Sequence, residues 1–197
     1  MREAVCMKII LASGSPRRRK ILSEMGYDFE IAVANIIEDI IGNESPAEHV
    51  VRLSGSKAEK IGIEYPDDLV IGADTAVVLD GEILGKPESK DDACKMLSRL
   101  SGKTHIVFTG LTVLIKNRNV KIADYDKTEV TFNDLSESQI KEYIDSGEPL
   151  DKAGSYGIQG MGSFLVKNHN GEIDTVIGFP SRLFEKMHRE AVSCLNR

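Results

Sequence analysis

Asp74 is the residue most in need of a chemical reason. It lies in Ile71-Gly72-Ala73-Asp74-Thr75, between apolar runs at 69–71 and 76–79. An acid inside such a strand is costly unless it holds a metal, a cation or a proton to transfer. The plain structural alternative is an acid bonding turn amides at a strand break. Lys57 poses the complementary question. At ~100° per residue, Val50, Leu53, Ser54, Lys57 and Ile61 share one side of a helix. A lysine in that stripe either meets an anion or snorkels to the edge. Glu38-Asp39 is an acidic pair that suits a hard cation, which takes oxygen ligands, or else forms ordinary exposed loop acids.

Three further segments have phosphate chemistry within reach. Ser13-Gly14-Ser15-Pro16-Arg17-Arg18 follows a short apolar run and opens a helix. Free N–H groups and the positive dipole end favour an anion there. Arg17 and Arg18 oppose that dipole and match phosphate as forked donors. A solvated basic run from Arg17 to Lys20 is the competing reading. Gly85-Lys86-Pro87 places a lysine on a turn. It is not a Walker motif: the spacing from Gly81 is one residue short, and Pro87 stands where Ser or Thr would bind magnesium. Residues 151–160 are glycine-rich, which lets backbone approach a ligand. Gln159 in that stretch carries an amide able to donate to and accept from a base edge. A flexible loop is the alternative. His49, His105, His169 and His188 have no metal spacing and build no Ser-His-Asp triad.

The elements that must position these residues are legible from caps and periodicity. A buried strand is expected at 7–12, then a helix capped by Ser15 with Pro16 at its first position and stopped at Gly26. Residues 29–34 read as a second strand. Ser45 and Glu48 form a capping box for a helix running to about Gly62. Residues 69–79 read as strand, with Asp80-Gly81 as a hairpin turn. Ser89 caps a helix closed by Gly102. Long strands follow at 106–115 and 120–132. Ser136 and Gln139 cap a helix ending at Gly147. Strands are expected at 164–167 and 175–178 around a turn at Asn170-Gly171. Pro180 and Ser181 open the terminal helix. Helices and hairpin strands mix without strict βαβ alternation, which predicts α/β with a mixed sheet.

The 197 residues suffice for one domain, expected over 1–197. The net charge of −6 disfavours nucleic acid or a membrane surface as the partner. No apolar stretch approaches a membrane span, and residues 1–7 lack a signal-peptide core. Cys6, Cys94 and Cys194 make neither a zinc pattern nor a disulfide framework. A reducing cytoplasm is the expected location.

Taken together, Leu11-Ala12-Ser13-Gly14-Ser15-Pro16-Arg17-Arg18, Ile71-Gly72-Ala73-Asp74-Thr75, Gly85-Lys86-Pro87, Leu100-Ser101-Gly102 and residues 151–160 resemble the Maf nucleotide pyrophosphatases. The order and spacing match along nearly the whole chain. The resemblance implies a curved mixed β-sheet with flanking helices in two lobes around a cleft, similar to the inosine-triphosphate pyrophosphatase fold. It implies a divalent metal, Mg2+ or Mn2+. Asp74 matches the family's proposed general base and Glu38 an acidic residue that follows the second strand; the expected metal would then be held by Glu38, Asp74 and phosphate oxygens. Ser13, Arg17, Arg18, Lys57 and Lys86 match its substrate-binding set. Arg17, Thr75 and Gln159 match positions of the branch that acts on dTTP and UTP.

The expected activity is therefore hydrolysis of dTTP and UTP, with modified pyrimidine triphosphates as further candidates, to monophosphate and pyrophosphate. Two alternatives stay open. One is a nucleotide-binding regulator of cell division or septum formation with little catalysis. The other is the 7-methyl-GTP preference of a sister branch. A small nucleotide is the expected partner, with no nucleic acid and no membrane; a homodimer is compatible with the sequence. A nucleic-acid module built on Arg17–Lys20 is disfavoured by the acidic charge and the lack of interleaved aromatics.

Overall fold

The computed structural model describes residues 7–195. Cys6 lies outside the described residues, as does most of the stretch read for a signal peptide. Strand β1, Ile9–Leu11, pairs in parallel with β2, Glu30–Ile31, and with β3, Leu69–Leu79. Ile10 and Leu11 are wholly buried, as a short apolar strand between two parallel partners requires. Strand β4, Glu82–Leu84, returns antiparallel on β3 across Asp80-Gly81, both with positive φ. Strands β5, Thr104–Ile115, β6, Val120–Phe132, and β7, Val166–Asn170, complete a seven-stranded sheet of order β2-β1-β3-β5-β6-β7, with β4 on β3. The expected mixed α/β sheet is what the chain forms.

The helices begin where their caps predict. Helix α1, Pro16–Glu24, has the Ser15 hydroxyl accepting from the Arg18 N–H, and Gly26 leaves it at φ 81°. Helix α2, Pro46–Ile61, has both halves of the Ser45–Glu48 capping box in place. Helices α3, Lys90–Leu100, and α4, Glu137–Asp145, are capped by Ser89 and Ser136. A short helix α5, Ile173–Ile177, precedes α6, Ser181–Leu195. Among the described residues, no helix is long and apolar enough to cross a membrane.

The chain divides into two compact units. The first takes the chain up to Asp74, Gly110–Tyr125 and the chain from Gly178 onward. Ile10, Ala12, Ala58, Ile61, Val70 and Leu114 form a core cluster in it. The second takes Thr75–Thr109 and Asp126–Ile177, and its core gathers Val77, Leu97, Val107, Phe132, Tyr143 and Leu165.

Three strand expectations are corrected. Of residues 29–34, only Glu30–Ile31 form strand. Beyond it Ala32 N–H still donates to the Leu11 carbonyl, but β1 ends there and offers nothing further to pair with. Phe164 and Leu165 lie in a 3-10 turn, so β7 starts at Val166. Thr175–Ile177, expected as the start of a strand, is the end of α5. The Thr175 hydroxyl donates to Asp126 and its carbonyl accepts from Thr109 at 2.7 Å, tertiary bonds that outweigh the β-propensity of a Thr-Val-Ile run.

Candidate active site

In the first unit, Lys57 is the centre of the arrangement. It sits in α2 with Val50, Leu53, Ser54 and Ile61, all buried as the stripe predicted. Its ammonium does not snorkel. Nζ lies 2.6 Å from Asp74 Oδ1 and 2.6 Å from Glu38 Oε1. The Lys57 and Asp74 side chains are 9% and 10% exposed, whereas Glu38 is 42% exposed, so the pair is buried and Glu38 forms its open edge. A buried charge pair of this kind has little tolerance for loss of one partner.

Glycine makes that contact possible. A Cβ at Gly72 would stand 2.0 Å from the Ser54 carbonyl oxygen and 2.9 Å from Ala58 N. A Cβ at Gly110 would stand 2.4 Å from the Val50 carbonyl oxygen. Helix α2 therefore lies directly on the backbone of β3 and β5, and Lys57, between Ser54 and Ala58, is carried to Asp74.

Ser13 and Arg18 form the second part. The Arg18 guanidinium donates through Nε to the Gly178 carbonyl at 2.9 Å, and through Nη1 to the Ala73 carbonyl at 2.8 Å and to Ser13 Oγ at 3.2 Å. It grips the main chain beside Asp74 and fixes Ser13. Ser13 Oγ also accepts from the Ser15 N–H at 3.2 Å. A hydroxyl has two lone pairs and one proton. With both lone pairs engaged, Ser13 meets an incoming group as a donor, the polarity a phosphate oxygen needs. Burial pushes the Arg18 guanidinium below its ordinary value; the Asp74 charge opposes this, Arg17 adds to it and Glu38 opposes it. Arginine remains a cation throughout. Arg17 is half-buried in the first turn of α1, where backbone N–H groups point outward.

The second unit carries Thr75, Lys86 and Gln159. Thr75 is half-buried, and its Oγ1 lies 3.0 Å from Thr109 Oγ1. Lys86 is exposed on the turn after β4. The Gly85 carbonyl in that turn accepts from Gly154 N–H at 2.9 Å, which ties it to the glycine-rich segment. Gly154 has φ 65°, and a Cβ there would press Val77 at 2.8 Å. The segment is anchored twice more. His105 Nε2 and Tyr156 Oη are 2.7 Å apart, and Gly157 N–H donates to Tyr143 Oη at 3.0 Å. Gln159 is exposed just beyond these anchors.

The chemistry of the donor set suits a hard divalent cation. Glu38 and Asp74 supply carboxylate oxygens that converge on one cationic centre, and Mg2+ is commonly held by one or two carboxylates with substrate phosphates completing its shell. Among the described residues no group of three His, Cys, Asp or Glu is placed to hold an ion.

The family model described as Maf-like protein matches residues 8–191. The chain belongs to the Maf family. Relatives named dTTP/UTP pyrophosphatase support the placement. One from Bacillus pumilus (strain SAFR-032) is 49% identical over 173 residues, covering 88% of this chain and 90% of that protein. One from Bacillus anthracis is 48% identical over 181 residues, covering 91% and 94%. Among solved structures, the Staphylococcus aureus Ham1 protein covers 95% of each chain at 14% identity and a TM-score of 0.47, a likeness too slight to carry an argument.

Several residues of this Maf chain that support the site have no sequence motif to announce them. Arg52 braces the segment bearing Glu38. Its Nε and Nη2 donate to both oxygens of Glu44 at 2.7 and 2.6 Å, and Nη2 to the Asp39 carbonyl at 2.8 Å. That bidentate bond, with those from His49 and the Ile41 N–H, holds the Glu44 carboxyl well below its usual range against the opposing effect of burial. Thr109 is wholly buried behind Thr75. Its signal would have been a polar residue in the inward register of β5, which the sequence alone does not separate from an ordinary strand threonine.

Proposed function

We propose that this Maf chain is a nucleoside triphosphate pyrophosphatase acting on dTTP and UTP, releasing the monophosphate and pyrophosphate. The observation that carries the reading is the buried Lys57 ammonium shared by Asp74 and Glu38. The names of relatives at 48–49% identity supply the substrate class.

Asp74 has one oxygen bound to Lys57, so Oδ2 is the proposed base atom. It takes a proton from a water that attacks the α-phosphorus. A new P–O bond forms as the bond to the α,β-bridging oxygen breaks, and pyrophosphate leaves with the electron pair. The Ser13 hydroxyl donates a hydrogen bond to a phosphate oxygen. Arg17 and the positive dipole end of α1 offset phosphate charge, and Arg18 holds Ser13 and the Ala73 main chain in place. Lys86, on its exposed turn, is proposed to bind substrate phosphate; Thr75, Gln159 and Arg17 are proposed to select the base. Glu38 and Asp74 are proposed to hold Mg2+ or Mn2+, which would neutralise phosphate charge and help acidify water. Most of the rate enhancement then comes from positioning and charge, as phosphoryl chemistry generally demands. The cytoplasm is the proposed location.

The test is a panel of nucleoside triphosphates with Mg2+ or Mn2+, assaying pyrophosphate against orthophosphate. Pyrophosphate from dTTP and UTP, with little from purines, is expected. Asp74→Asn is expected to lower turnover by at least about a hundredfold without loss of fold. Orthophosphate as the sole product, or near-wild-type turnover by Asp74→Asn, would overturn the mechanism. Tight nucleotide binding without product would favour a regulator.

A further inference from the structure

Thr75 follows the proposed base, and its hydroxyl is oriented from behind. Four groups of the second unit make a chain of hydrogen bonds. Thr175 Oγ1 donates to Asp126 Oδ2. The Thr175 carbonyl accepts from Thr109 Oγ1 at 2.7 Å, and Thr109 Oγ1 lies 3.0 Å from Thr75 Oγ1. Thr109 and Thr175 are wholly buried, so bulk water does not compete for either.

The direction of each bond follows from the inventory of donors. A carbonyl oxygen only accepts, so the single proton of Thr109 goes to Thr175. The remaining contact of Thr109 is then made through a lone pair. The proton in the Thr75–Thr109 bond must come from Thr75. With that proton directed inward, the Thr75 hydroxyl can meet any further group only as an acceptor.

We propose that Thr109 is a positioning residue that sets the polarity of Thr75, so that Thr75 meets the base as the acceptor of an N–H, namely the imide N3–H of uracil or thymine. The proposal rests on the reading that dTTP and UTP are substrates and that Thr75 faces the base. Cytosine has an acceptor at N3, and two lone pairs facing each other repel. A site built to pair with a donor rejects an analogue that lacks it far more strongly than an apolar pocket rejects one missing methylene. Ser13 has the opposite polarity, its lone pairs being engaged by Arg18 and Ser15.

The experiment measures kcat and KM for UTP, CTP and N3-methyl-UTP on wild type, Thr109→Val and Thr109→Ser. Wild type is expected to disfavour CTP and N3-methyl-UTP by at least about tenfold in kcat/KM relative to UTP. In Thr109→Val the Thr75 hydroxyl loses its inward acceptor and turns. UTP is expected to lose about tenfold, chiefly through KM, while CTP gains, so the UTP/CTP ratio collapses. Thr109→Ser restores the ratio. Equal use of UTP and N3-methyl-UTP by wild type would overturn the proposal with no variant involved. An unchanged UTP/CTP ratio in a folded Thr109→Val would overturn it as well. Wild type giving no pyrophosphate from UTP or dTTP would instead remove the proposed function, a result read separately from either.

Discussion

The Lys57 ammonium lies 2.6 Å from Asp74 Oδ1 and 2.6 Å from Glu38 Oε1, so one buried cation serves two carboxylates. Lys57→Met would leave Asp74 buried without its counter-charge. A stability loss of about 3–5 kcal/mol is expected by chemical denaturation, with kcat/KM down at least about a hundredfold. The same variant tests the metal site. With the ammonium gone, Mn2+ is expected to raise the melting temperature of Lys57→Met more than that of wild type. Equal shifts would mean that Glu38 and Asp74 do not hold the ion.

Gly72→Ala is expected to be severe despite adding one methyl group. The new Cβ would meet the Ser54 carbonyl oxygen at 2.0 Å, and backbone cannot move aside as a flexible side chain can. Helix α2 must lift, which costs about 1–3 kcal/mol or more and draws Lys57 away from Asp74. Melting temperature and turnover should fall together. A fully active, fully stable Gly72→Ala would contradict the close approach.

Acid is expected to weaken the fold through His105. Burial lowers this imidazole to about 4. Its Nε2 is bonded to Tyr156, and its Nδ1 is buried with no partner among the described residues. Between about pH 4 and 6.5 the unfolded chain therefore binds more protons than the folded one. This contribution is complete above pH 6.5 and is lost as pH falls toward 4, on the order of 3 kcal/mol in all. Urea unfolding of wild type and His105→Gln at pH 7 and pH 4.5 reads it out. The variant should lose less stability between the two; parallel losses would exclude His105 as the source.

The brace on the Glu38 segment has its own pH signature. Because Arg52 keeps the folded Glu44 carboxyl below its usual range, the contribution of Glu44 is present above about pH 4.5 and fades as pH falls below it. The difference in melting temperature between wild type and Glu44→Gln should be largest at neutral pH and close in strong acid. Arg52→Leu should raise the Mn2+ concentration needed for half-maximal activity about tenfold, since Glu38 loses its support. An unchanged metal requirement would separate the brace from the site.

The sequence by itself determined the local decisions. Ser15, Ser45, Ser89 and Ser136 start their helices because a capping hydroxyl satisfies N–H groups that the helix cannot. The apolar runs around Asp74 and the 3.6-residue stripe through Lys57 singled both charges out, but left open whether the acid bonds turn amides and whether the lysine snorkels. What those charges meet was decided by tertiary structure alone. Glu38 lies on an irregular segment whose course depends on the bonds from Arg52 to Glu44 and to the Asp39 carbonyl. The proton order behind Thr75 depends on a carbonyl 66 residues from Thr109. Residues 175–177 turned from expected strand into helix for the same reason: hydrogen bonds to Thr109 and Asp126 come from distant parts of the chain, and no propensity of the segment itself encodes them. Periodicity and capping report on neighbours a few residues apart, whereas partners of buried polar groups are chosen only when strands and helices have packed.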